Sequence, residues 1–385
     1  MQPSVLQWAR ERARVSRDEL ARRMQIDVDH VIEWEETGNI SVAQVDRLAE
    51  RTHTPLGLLY LSKPPEDKLP IPDFRTRHTQ IAPLRPSLDL LETVFAMQRR
   101  QDWMRDDLIE IGAEPLEFVG AYSRAHDPVI VANAMRDALG IVDDWAESVE
   151  SWIAALRVLR EKLDAAGFLI VFNGVVGNST SRKLDPDEFQ GFALADEFAP
   201  LIFVNNADFI AAKMFTLVHE LAHIFVGESG VSHFERLQPS PHDTEKFCDN
   251  AAAEFLVPES NFRDLWDLDA RNSPIHTGNL FESIARKFKV SAIVAARRAL
   301  DLDLIDLDTF FAFYESHKKQ GGINQSTSSG GNFWSTQRWR IGPRFAAAVV
   351  RATKEERLTY RDACSLTGLR GDTFENLAVK LDIPL

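Results

Sequence analysis

The sequence predicts an α+β fold, mostly helical, with one small sheet set among many helices. Three observations carry that prediction. Apolar residues recur at helical spacing through most of the 385 residues. In the middle the period changes: "GFLIVFNG" (167–174), "FQGFALAD" (189–196) and "PLIFVNN" (200–206) are short apolar runs bounded by Gly, Pro, Asp and Asn, which read as strands. Finally, a Pro-rich stretch, "KPPEDKLPIPDF" (63–74), and a Gly/Ser-rich one, "KKQGGINQSTSSGGN" (318–332), cannot continue a helix and divide the chain.

The elements follow in order. Residues 1–62 contain five short helical patterns separated by turn signals such as "ETGN" (36–39). Within them, "VSRDELARRMQIDVDHVIEWEETG" predicts helices at Arg17–Met24 and Val28–Glu35 across a tight turn. Leu20, Met24, Ile26, Val31, Ile32 and Trp34 supply their shared core. This pair resembles the Xre-type helix-turn-helix domain of repressors, whose second helix enters the DNA major groove. Residues 63–125 hold the Pro-rich linker and a long amphipathic helix at 87–111. Segment 126–318 opens with helices at 129–139 and 144–166, passes through the three strands, and returns to helices at 211–227 and 244–256. A helix-turn-helix-like unit at 279–300 and a helix near 308–318 complete it. After the flexible linker 319–332, residues 333–385 form a helical C-terminal segment.

Composition bounds the function. The net charge of −14 repels nucleic acid as a whole, so any DNA contact needs a local basic patch. No apolar run reaches the roughly 18–20 residues that span a bilayer, so no membrane partner is expected. Two cysteines, Cys248 and Cys364, form neither a disulfide framework nor a metal-type pair. With an N-terminus that becomes charged early, this usage leads to the expectation of a cytoplasmic protein.

The chemistry concentrates in "KMFTLVHELAHIFVG" (213–227). His219 and His223 lie one helical turn apart, so both imidazoles reach one ion. Glu220 points about 100° around the helix, where it meets a metal-bound water without ligating the metal. That is the position of a general base. The alternative is a buried helix with two incidental histidines, and a third ligand decides between them. Downstream, "PHDTEKFCDNAAAEFLVP" (241–258) offers Glu245, Asp249 and Glu254. Glu245 and Asp249 share a helix face and Glu254 does not. Glu245 is therefore the expected third ligand, and Asp249 the acceptor for the free ring N–H of a ligand histidine. A Cys248 thiolate is the other candidate, against a small buried residue.

"FTLVHELAHIF" followed by "EKFCDNAAAEFLVP" resembles the ImmA/IrrE family of metallopeptidases. The resemblance extends to "APLIFVNN" upstream, "IARKFKVSAIVAARRAL" downstream and "IPDFRT" (71–76) near the N-terminus. It implies a zincin-like core, Zn2+ as cofactor, and cleavage of a protein substrate that is a repressor or antitoxin-like regulator. Asp249 stands where many relatives are expected to have asparagine, and either side chain accepts the histidine N–H. Strand 200–206 is open to two readings, as an edge that pairs with an extended substrate or as an interior strand. His233 and His242 are candidates for stabilising the oxyanion.

DNA is the competing partner. The first 62 residues carry eight Arg or Lys against ten Asp or Glu. The presumptive recognition helix bears Asp29, Glu33 and Glu35, with Asp27 just before it. The 279–300 unit is different: Arg286, Lys287, Lys289, Arg297 and Arg298 are candidate nucleic-acid contacts, or cations on a solvated face. Residues from 333 onward are net basic, nine to six, with Trp334 and Trp339 among arginines. The alternative function is thus a DNA-binding regulator, or the antitoxin of a cognate toxin, built on a non-catalytic peptidase fold.

Overall fold

In a computed structural model the described residues are 1–74, 85–142, 144–206, 210–232, 243–272, 277–319 and 332–381. They form two compact units, residues 1–70 with 81–95 and residues 71–80 with 96–385.

The first unit starts with α1 (Pro3–Arg12), α2 (Arg17–Met24), α3 (Val28–Thr37) and α4 (Val42–Arg51). The fifth expected helix is a single 3₁₀ stretch, Leu56–Tyr60. Local chemistry sets the starts. Ser16 accepts from the Glu19 N–H, Asp27 accepts from the Asp29 N–H, and Ser41 with Gln44 closes a capping box. Trp8, Leu20, Met24, Val31, Trp34, Val45 and Leu48 form the core, whereas Ile26 only packs against its margin. Glu35 is not on the outer face that its position in α3 suggested. Its side chain is 3% exposed and pairs with Arg10 at 2.5 Å and Arg17 at 2.7 Å.

The long helix α5 (Leu88–Glu110) leads into the second unit. There follow α6 (Pro128–Leu139), α7 (Trp152–Ala165), β1 (Leu169–Asn173), β2 (Gly191–Leu194), β3 (Leu201–Asn205), α8 (Ile210–Val226), β4 (Gly230–Ser232) and α9 (Asp243–Leu256). The chain continues through α10 (Glu259–Asn272), α11 (Thr277–Phe288), α12 (Ala292–Asp301), α13 (Leu307–Lys319), α14 (Phe333–Ile341), α15 (Pro343–Lys354) and α16 (Tyr360–Thr367), and then two one-turn helices. The helix expected at 144–166 begins only at Trp152, capped by Ser151, because the preceding residues turn with Trp145 buried.

The sheet is mixed, in the order β1-β3-β2-β4, with β1 parallel to β3 and the other pairs antiparallel. This corrects one of the two readings of residues 200–206. β3 has a strand on each side, so its hydrogen-bonding edges are filled and it cannot receive a substrate. The outward carbonyl of β1 at Ile170 is also approached: Gly342, with φ +85°, lies so close that a Cβ there would be 3.2 Å from it. Trp339 of α14 meets Phe172 edge-on at 5.0 Å.

Helix α8 runs against β2 and β3 on one side and α9, α6 and α7 on the others. Every residue from Lys213 to Phe225 is buried. Two arginines lock α9 in place. The Arg136 guanidinium donates to the Glu254 and Phe255 carbonyls at the end of α9. Arg298 of α12 donates to the Val257 carbonyl at 3.1 Å and pairs with the Glu254 carboxylate. Because the carbonyls at a helix end lack intrahelical partners, these donors fix both the position and the rotation of α9.

Candidate metal centre

Helix geometry places His219 and His223 on the same face of α8, and burial takes both to 0% exposure. Their Nε2 atoms face each other at 3.0 Å. Glu245, in the first turn of α9, brings its carboxylate 3.4 Å from His219 Nε2 and 2.9 Å from His223 Nε2. All three donor atoms lie within 4.8 Å of one another, and this is the one such group among the described residues.

That spacing fits a metal ion. Nitrogen and oxygen ligands at about 2.0–2.1 Å around a tetrahedral ion stand roughly 3.3 Å apart. The observed separations of 2.9–3.4 Å are those of three corners of such a tetrahedron. Cys248 is wholly buried, and its sulfur is not among the donor atoms of this group.

The remaining carboxylates divide as their helical spacing dictates. Asp249 Oδ1 lies 3.0 Å from His219 Nδ1, on the side of the ring away from the cluster. Glu254 turns to the other side of α9 and is paired with Arg298. Glu220 is 0% exposed, and among the described residues its carboxylate oxygens have no hydrogen bond of good geometry, only a looser approach by Ser232. Burial pushes its carboxyl up to about 8, with His219 pulling the other way. At Glu245 burial also opposes the charge, but His219 and His223 hold the carboxyl well below the usual range. At His219, burial is outweighed by the Glu245 and Asp249 carboxylates, which hold the imidazole at about 10. A metal taking this site therefore displaces a proton.

Three nearby residues escaped sequence reasoning. Gly191, at the start of β2, leaves room for Glu220; a Cβ there would be 2.9 Å from its Oε1. Ser232, in β4, favours the charged form of Glu220. Phe74 stacks on His223, ring centroids 5.5 Å apart and planes at 14°. Only Phe74 had a signal, in "IPDFRT", and nothing there pointed to the metal site. His233 and His242 lie outside the described residues.

The sequence comparison now bears on the geometry. Residues 164–300 match the IrrE N-terminal-like domain of the M78 peptidase family. The matched M78 segment contains all of α8 and α9, and with them the His219, His223 and Glu245 cluster. Residues 341–380 match a second family, a domain of unknown function, DUF8813. No curated protein matches the chain. None of the described helices is long and apolar enough to cross a membrane.

The basic residues at 279–300 have partners within the second unit. Arg298 is buried against Glu254. Arg297 pairs with Asp301 at 2.7 Å, and its side chain is 13% exposed. The ammonium of Lys289 donates to the Arg286 carbonyl at 2.8 Å, and Lys287 pairs with Glu147 at 3.0 Å. Arg286 remains on the surface beside Glu282. In the first unit Asp29, His30 and Glu33 are exposed on α3.

Proposed function

We propose that this protein is a zinc-dependent endopeptidase that cleaves a regulatory protein. The observation that carries the reading is the wholly buried carboxylate of Glu220, next in sequence to His219 and beside a two-histidine, one-glutamate cluster. That donor set suits zinc, and three protein ligands leave a fourth position open. Zinc, when bound, would polarise the scissile carbonyl and lower the pKa of its water to about 7.

The chain's own residues supply the rest. Glu220 accepts the proton of the attacking water and returns it to the leaving amine as the peptide bond breaks. Its burial raises its proton affinity above that of an ordinary carboxylate. Asp249 accepts the Nδ1 proton of His219, so Nε2 is left to face the metal. Ser232 and Gly191 shape the space in which the Glu220 carboxylate sits.

A repressor or antitoxin-like regulator is the proposed substrate, on the resemblance of the motifs alone. The acidic outer face of α3 and the committed cations of α11 and α12 favour a protein partner over DNA. Comparing wild type with Glu220→Gln in cells by N-terminal proteomics tests the proposal. A protein fragment made only by wild type identifies the substrate. Full biological activity of the variant would instead make the fold a non-catalytic module of a DNA-binding regulator or antitoxin.

A further inference from the structure

Resting on the peptidase reading, we propose that Pro72–Phe74 is a built-in strap occupying the substrate edge of the sheet. The substrate is then an extended segment that takes this edge and puts a bulky apolar side chain where Phe74 now sits.

Three contacts carry the inference. In β4, Ser232 turns its carbonyl toward Gln190 beside β2, so the intervening Val231 is the residue whose main chain faces outward. Both of its groups are taken: its N–H donates to the Pro72 carbonyl at 3.0 Å, and its carbonyl accepts from the Phe74 N–H at 3.0 Å. Residue 73 thus pairs with Val231 as an added parallel strand. The Phe74 ring then lies over His223, with planes at 14°. Gly230 makes this possible, because a Cβ there would come within 2.1 Å of the ring.

Position makes this edge the substrate's. β3 is interior and β1 is approached by Gly342, whereas β4 ends at Ser232, beside Glu220. An extended chain reaching the metal along the sheet needs the main-chain groups of Val231, the mode by which sheet edges bind peptides. The strap reaches the sheet edge through two main-chain hydrogen bonds and a half-buried ring, and Pro72 and Asp73 lie on the surface. A competing strand can lift it without unfolding the sheet.

The test uses the full chain and two variants that evict the ring from opposite sides, Phe74→Ala and Gly230→Ala. Hydrogen exchange at the Val231 amide reads the strap directly and needs no metal. The rate at which 1,10-phenanthroline extracts zinc reads cover over the site. A fluorescently labelled acetyl-IPDFRT-amide peptide reads the vacated edge. Both rates should rise about tenfold or more in a variant that keeps a cooperative melt, and the peptide should bind Phe74→Ala, where Gly230 still admits its ring, more tightly than wild type. Unchanged exchange and extraction in such a variant overturn the strap. So does weaker peptide binding without faster exchange, which would make Phe74 a wall of the cleft. If both variants lose their cooperative melt, wild-type exchange decides: protection of Val231 that the labelled peptide leaves unchanged at saturation overturns the strap, and protection that it alters supports it. Failure of wild type to bind zinc sinks the peptidase reading instead, and exchange at Val231 still decides the strap.

Discussion

Asp249 Oδ1 sits 3.0 Å from Nδ1 of His219, so a carboxylate on one helix meets the ring of a candidate metal ligand on another. Removing such an acceptor typically costs 10–100-fold in metal affinity. Asp249→Ala is expected to weaken zinc by about that factor, and Asp249→Asn to recover most of it. Competition with a zinc-binding dye measures both.

Glu220→Gln separates binding from chemistry. Wild type and variant alike should hold one zinc per chain, while cleavage by the variant falls by about 10²–10⁴-fold, the usual contribution of a general base. His223→Ala and Glu245→Ala should lose the metal itself. Metal analysis beside a cleavage assay distinguishes the two classes.

Arg298→Met tests whether this arginine is structural. Its partner Glu254 is 7% exposed, so the variant leaves a buried carboxylate unpaired and should lose about 3–5 kcal/mol of stability. Replacing both residues with apolar ones should recover much of that loss. Chemical denaturation measures each. Equal stability of Arg298→Met and wild type would return the side chain to the pool of surface cations.

Asp164 predicts a pH dependence. Burial raises its carboxyl to about 6, although Arg160, Arg344 and Arg338 oppose the shift. The unfolded value is about 3.9, so between these two values the folded state holds more protons than the unfolded one. Stability at this site is therefore full below about pH 4 and is lost as pH rises through about 6. Relative to Asp164→Asn, wild type should lose about 2 kcal/mol between pH 4 and 7, measured by urea unfolding at several pH values.

Much of this was readable before any coordinates. The i, i+4 pair His219 and His223 needs only one helix, and the i, i+4 pair Glu245 and Asp249 needs only another. Helical spacing alone also put Glu254 on a different face. Tertiary facts were not readable in this way. A three-residue strand such as "GVS" has no apolar run to announce it, so β4, and Ser232 with it, was invisible. An apolar run such as "LIFVN" fits an interior or an edge strand equally well, and only pairing with both β1 and β2 decides. Arg298 looks like its neighbour Arg297 in sequence, and it becomes a buried clamp only because Glu254, 44 residues earlier, ends beside it.

Gly342 has a practical consequence. By laying the start of α15 against the outward carbonyl of Ile170, it turns the C-terminal segment into a guard rail for β1. A chain cut after residue 319 would keep its whole candidate metal cluster and yet bare the outer edge of β1 to solvent. Such rims recruit strands from other molecules. The shortened protein should polymerise more readily than the full-length chain, so the last helices act against self-association.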